Sequence, residues 1–379
     1  MKIAFVELRD PTDPHNWSGI PSRMLENLAD QVNLQVVGPV DYGIRTAFLG
    51  HKILARLMGE RFDEQRTDLA LRTYAKRIRR ALHGQGAAAV ISPGSIAIAK
   101  LECQVPIIFW TDACFAAMRD YYADFSTLCA RSLKDGETQE REALRRCHLA
   151  IYSSDWAAQW ARNSYPESAD KVRMIPFGAN LESSYDEAAI KNSIKIRPIG
   201  RCNLLFVGVD WRRKGGPTVL EATRLMNTAG VPAKLTIVGC APFGSRRPPE
   251  YVDVVGYLDR ASMQGHARLA QLFSESHFLI LPSSAEAYGI VLCEAAAFGV
   301  PTVASDTGGI PTIVKHGVTG LLLADNATPA AYASAITALF QNEAAYARTA
   351  LAAFREYKER LNWRVACASV VRLLEGINL

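Results

Sequence analysis

Several chemistries are excluded by what the sequence lacks. Its eight cysteines, Cys103, Cys114, Cys129, Cys147, Cys202, Cys240, Cys293 and Cys367, are scattered singly, with no C-x-x-C pair and no Cys/His cluster at zinc spacing, so neither a zinc site nor a dithiol redox pair is expected. Reduced thiols are the expectation. No Asp-x-Asp pair occurs, and no G-x-x-x-x-G-K-[ST] spacing, which leaves no support for a divalent ion held by paired aspartates or for a Walker A loop. No uninterrupted apolar run approaches the ~18 residues needed to cross a bilayer, and MKIAFVELRD turns polar too soon for a signal peptide. The reading is a cytoplasmic protein, at most peripheral at the inner membrane face. Charge of one sign is also scarce: 43 Lys and Arg stand against 38 Asp and Glu, a net +5. That suits phosphate-bearing ligands and does not call for nucleic acid.

What is present is ample apolar material, 49% of 379 residues, enough for two domains at about 150 residues each. Short Val, Ile and Phe runs begin at Lys2, Asn33, Ala87, Val105, Leu149 and Lys171 and alternate with helix-like segments. They read as strands buried on both faces of a parallel sheet. Residues 182–200, ESSYDEAAIKNSIKIRPIG, are polar and read as a linker. The rhythm then resumes at Asn203, Lys234, Val252, His277, Pro301 and Gly320. The fold class expected is α/β, two Rossmann-like doubly wound domains facing a cleft, with residues 1–181, linker 182–200, residues 201–361, and a last helix over 362–379 crossing back to the first domain.

Two segments carry candidate chemistry. In residues 281–313 a strand ends at Pro282 and a helix opens near Tyr288-Gly289, aiming backbone N–H groups at whatever lies beyond. Glu286 precedes that helix and Glu294 lies inside it, roughly 7.5 Å further along the axis. One carboxylate then faces a sugar and the other a ribose; equally, Glu294 reads as a solvated helix residue and Glu286 as a first-turn charge. The turn Thr307-Gly308-Gly309 follows the next strand. In FVGVDWRRKGG, from Phe206, the cations Arg212, Arg213 and Lys214 sit between a strand end and a helix start, suited either to a diphosphate or to a basic surface turn.

The Glu286-x7-Glu294 spacing, FVGVDWRRKGG, EAYGIVLCEAAAFGVPTVAS and the Gly-Gly turn together resemble the retaining glycosyltransferases of family 4, which have the GT-B fold. In the first half the likeness runs through Trp17-Ser18-Gly19-Ile20, Thr111-Asp112 and the PFGAN starting at Pro176. The resemblance implies a nucleotide-sugar donor, with UDP-sugar ahead of GDP-mannose, an acceptor hydroxyl, no metal and no cofactor. It implies that Arg213 and Lys214 contact the diphosphate, that Tyr288, Gly289 and Ile290 offer helix-terminal amides, and that Glu294 holds the ribose. Glu286 would contact the donor sugar, Gly19 would let its loop approach the phosphates, and Asp112 would lie near the reacting sugar. Val209 stands where many relatives have Arg, and Thr312 where many have Glu. The same resemblance covers an epimerase, a disaccharide synthase or a non-catalytic binding subunit.

Asp112 also reads as a helix cap, and His15 as a solvated loop residue. Trp156 and Trp160, four apart, read as core. The run Lys76, Arg77, Arg79, Arg80 reads as a solvated helix face. With Phe48, Leu49, Ile53, Leu54, Leu57 and Met58 upstream, it also fits a peripheral contact with an anionic membrane.

Overall fold

All twelve apolar runs form strands in a computed structural model, which describes residues 1–377 and leaves out the side chain of Arg45. The strands are β1 (Lys2–Val6), β2 (Asn33–Val37), β3 (Ala89–Ser92), β4 (Ile107–Thr111), β5 (Leu149–Tyr152), β6 (Val172–Met174), β7 (Cys202–Val207), β8 (Ala233–Val238), β9 (Val252–Gly256), β10 (Phe278–Leu281), β11 (Thr302–Ser305) and β12 (Gly320–Leu323). They make two wholly parallel sheets, ordered β2-β1-β3-β4-β5-β6 and β12-β11-β10-β7-β8-β9. The second order is that of a dinucleotide-binding Rossmann sheet, and its direction reverses between β7 and β10. The chain divides into one unit of Met1–Pro176 with Ala366–Leu379 and another of Phe177–Val365.

Burial on both faces holds for the central strands only. β3, β4, β5 and β10 are buried throughout, whereas β2, β9 and β12 carry half-buried or exposed residues. These three are sheet edges, where a neighbour covers one side alone. Core side chains of the first unit include Phe109 and Tyr152, packed edge to face at 5.8 Å. All eight cysteines are free thiols. Trp160 is 44% exposed rather than core, because the inward stripe of its helix Asp155–Ser164 is made by Ala157, Ala158 and Ala161.

The stretch 182–200 is more than a linker. It contains the helix Glu187–Ile196, capped by Asp186, whose carboxylate accepts from the Ala189 amide at 2.7 Å. Ile190 is buried, and Glu187 pairs with Arg355 at 2.8 Å. At its end Arg197 is almost wholly buried. Its guanidinium donates to the carbonyls of Phe298 and Gly299, each at 2.9 Å, and to the Tyr346 hydroxyl at 2.7 Å. Those carbonyls close the helix Ile290–Ala297, so a cation sits at the negative end of its dipole.

Replacing Arg197 by Met strips these acceptors of their donor while keeping apolar bulk. The second unit should lose about 2–4 kcal/mol, since buried carbonyls left without partners keep their full desolvation cost. A urea titration of Arg197→Met against the parent measures this, and an unchanged midpoint would contradict it.

Candidate functional site

The sheet reversal in the second unit places two strand ends side by side, with Phe278 in register with Leu204 and Leu279 with Leu205. The loops leaving β7 and β10 therefore meet. In the first, the Asp210 carboxylate accepts from the Arg213 amide at 3.0 Å and the Asp210 carbonyl from the Lys214 amide at 3.0 Å. Trp211 packs edge to face on Phe206 at 5.1 Å. Gly215, at φ +77°, turns the chain into the helix Gly216–Thr228, and a Cβ there would lie 2.0 Å from the Pro282 carbonyl oxygen. Only glycine lets the two loops approach so closely. The Ser284 amide then donates to the Arg213 carbonyl at 2.9 Å, tying them together.

This folding brings Arg213, Lys214 and Glu286 into one cluster, while Arg212 stays exposed. The Arg213 Nη1 donates to the Ala285 carbonyl at 2.7 Å and lies 3.8 Å from Glu286 Oε2. The Lys214 ammonium donates to that same carboxylate oxygen. Glu286 is buried, so it is no exposed first-turn charge. Its backbone carbonyl accepts from the Gly309 amide at 2.9 Å, and a Cβ on Gly309 would stand 2.1 Å from the Ala287 carbonyl oxygen. The Gly-Gly turn is thus fitted against the backbone of the loop that carries Glu286.

Gly289, at φ +88°, opens the helix Ile290–Ala297 and has no side chain of its own with which to cap that end. Its amides and the positive pole of the dipole are the backbone contribution to the site. Tyr288 contributes backbone alone. Its ring packs against Phe177 and its hydroxyl donates to the Phe177 carbonyl at 2.6 Å, with burial holding the phenol far from ionisation. Phe177 in turn stacks on Trp363 at 5.4 Å, and the Trp363 indole donates to Asn180 at 2.8 Å. The PFGAN segment is a packing element here.

Glu294 is fully buried, which removes the solvated-helix reading. Its Oε1 accepts from Arg260 Nη1 at 2.7 Å. Arg260 follows β9 and was not singled out from the sequence, where an isolated arginine after a strand carries no pattern. Its only signal is a position beyond a strand's carboxyl end. Val209 is 71% exposed and Thr312 buried, its carbonyl accepting from Arg360.

In the first unit, Gly19 (φ +83°) completes a run of three left-handed residues with Trp17 (φ +45°) and Ser18 (φ +58°). Two non-glycine residues in that region mark a strained loop after β1. Glu7, at the base of this loop, accepts from the Arg9 amide and from the buried Asn16. Burial pushes its carboxyl from the usual 4.5 up to about 7. Asp112 follows β4, half-buried, two residues ahead of Cys114, the N-cap position of the next helix, Phe115–Arg119. A carboxylate that the sequence did not reveal, Glu140, is wholly buried there. It accepts from Ser95 at 2.8 Å and Tyr152 at 3.3 Å, and from the Phe115 amide, joining the ends of β3, β4 and β5.

The two doubly wound units define the GT-B fold. Residues 201–342, all within the second unit, match the model of the family glycosyl transferases group 1. Among curated relatives are the D-inositol 3-phosphate glycosyltransferases of Actinosynnema mirum, 30% identical over 50% of this chain and 48% of the relative, and of Nocardiopsis dassonvillei, 28% identical over 61% and 58%. The chain spans about half the length of these relatives. Among solved structures, sucrose-phosphate synthase from Thermosynechococcus elongatus aligns with a TM-score of 0.71 at 18% identity, over 100% of this chain and 99% of that one. Anabaena HepE, in complex with UDP, aligns with a TM-score of 0.63 at 17% identity over 100% of both chains. At these identities the structural likeness concerns the fold.

Glu7 supplies a pH test. Because its carboxyl takes up protons more readily folded than unfolded, the contribution of Glu7 to stability is greatest below pH 4.5 and falls as the pH rises towards 7. Glu7→Gln should therefore gain up to about 3 kcal/mol at pH 8 and nothing at pH 4. Urea midpoints at the two pH values read this, and equal gains at both would refute it.

Proposed function

We propose that this protein is a retaining, metal-independent glycosyltransferase that moves a sugar from a nucleotide-diphosphate donor, a UDP-sugar in first place, to an acceptor hydroxyl. The observation that carries the reading is the Arg213, Lys214 and Glu286 cluster at the reversal point of a Rossmann sheet, beside the N-terminus that Gly289 opens. The group 1 family match over the same residues supports it, as does the UDP held by the fold-related HepE.

In this reading the diphosphate lies against Arg213, Lys214 and the amides of Gly289 and Ile290. Breaking the sugar–phosphate bond builds negative charge on the leaving oxygens, and cations already fixed in place stabilise it more in the transition state than before. Two protein cations then do the work a divalent ion does elsewhere. Lys214 is shared between the phosphate and Glu286, which orients the sugar while the acceptor hydroxyl attacks on the face the phosphate leaves. The departing phosphate oxygen takes the hydroxyl proton. Glu294, aligned by Arg260, receives the ribose hydroxyls as donors. Gly19 admits the loop after β1 to the phosphates, and Asp112 serves near the reacting sugar.

A panel of UDP-, GDP- and ADP-sugars tests this by nucleotide release, with UDP-sugars expected fastest and EDTA without effect. Lys214→Ala should weaken nucleotide diphosphate binding at least tenfold, the loss of one charge-assisted contact. Glu286→Ala should cut turnover about a hundredfold or more while nucleotide diphosphate still binds. Failure to cleave or bind any donor refutes the reading.

A further inference from the structure

The first unit bears a surface to which the proposed transfer assigns no role. The helix Leu49–Leu57 buries only Ala55. Leu49, Ile53, Leu54, Leu57 and the following Met58 are 55–80% exposed, with Leu57 the most. At about 100° per residue these five cover roughly half the helix circumference, on the side away from Ala55. Phe48, grouped with them in the sequence, turns inward instead and packs against Phe62 at 5.7 Å, pinning the helix at its start. Lys52, paired with Glu64 at 2.6 Å, and the exposed Arg56 flank the apolar arc.

A cationic groove adjoins this segment in sequence. The helix Asp68–Leu82 buries Leu71, Tyr74, Ala75 and Ile78, and turns Arg72, Lys76 and Arg80 outward. With Tyr42 and Arg77 they line an open groove of about 400 Å³; no carboxylate lines it, and Arg72 is paired with Asp68 of its own helix at 2.5 Å. Arg77 fixes the Tyr42 end, lying 3.6 Å over its ring and donating to the Val40 and Tyr42 carbonyls at 2.6 and 2.8 Å. Tyr42 is seven residues ahead of the apolar helix.

We propose that this surface docks on an anionic lipid bilayer, with the Leu49–Leu57 helix lying in the plane of the interface and the groove receiving lipid phosphates. The apolar arc is convex, which suits insertion among acyl chains rather than enclosure of a small ligand. Arg56 beside it, and a groove of the same unit lined by cations and by no carboxylate, match a negatively charged surface. A second copy of this chain would bring like charges together. No helix among the described residues is long and apolar enough to cross a membrane, so contact is with one leaflet.

The test is co-sedimentation of the full chain with phosphatidylcholine vesicles, with and without phosphatidylglycerol. Binding is expected to the mixed vesicles alone and to fall with added salt. Ile53→Asp and Leu57→Asp should each weaken it at least tenfold, and Lys76→Gln or Arg80→Gln about fivefold. All four positions are exposed, so circular dichroism and the rate of soluble donor cleavage should stay at parent values. Absence of binding, equal binding to both vesicle types, or variants that bind like the parent would overturn the proposal. So would a concentration-dependent dimer that Leu57→Asp dissolves, which would make the surface a contact between copies. Donor cleavage without vesicle binding refutes this inference alone.

Discussion

The contact between Lys214 and Glu286 is the constraint around which the second unit's site is arranged. A buried ion pair is a poor source of net stability, since desolvating both partners offsets most of their attraction. Removing one partner is another matter and typically costs 3–5 kcal/mol, because the remaining charge is stranded. The surrounding backbone is shaped accordingly. Gly215 lets the loop of Lys214 press on Pro282, Ser284 ties the loops, Gly309 holds the Glu286 carbonyl, and Gly289 turns the chain away into its helix. A cation and an anion held together are also preorganised, so under the proposed function a phosphate would share a lysine rather than order one.

The first unit follows a parallel logic with different means. There a carboxylate, Glu140, is taken out of water altogether and satisfied by Ser95, Tyr152 and a backbone amide. Low dielectric makes such a network stiff when complete and costly when broken. It fixes the ends of three adjacent strands, the edge on which Asp112 lies.

Much of this was legible in sequence, for reasons that can be named. Strands buried on both faces leave continuous Val, Ile and Phe runs, and all twelve runs are strands. One helix start followed from a glycine, at Tyr288-Gly289. The Glu286 to Glu294 spacing and the Arg213-Lys214 pair are local patterns, and the structure joins the Arg213-Lys214 pair to Glu286 and places Glu294 in the helix that the same loop opens. What stayed hidden depends on partners remote in sequence. Arg260 meets Glu294 across 34 residues and Glu140 meets Ser95 across 45. The helix at 187–196 was hidden by its polarity: it buries one isoleucine and is held by a cap and an ion pair. Trp160 misled because a tryptophan's size suggests burial, whereas the helix turns its alanines inward.

Arg197 deserves a last physical consequence. A short helix is a weak dipole whose two poles largely cancel at a distance. Here the negative pole, at Phe298 and Gly299, is met inside the protein by a full positive charge. The field projected from the Gly289 end is then closer to that of a lone positive charge than to that of a dipole, and it decays more slowly with distance. A guanidinium that touches nothing in the site thereby extends the reach of the site's attraction for an anion.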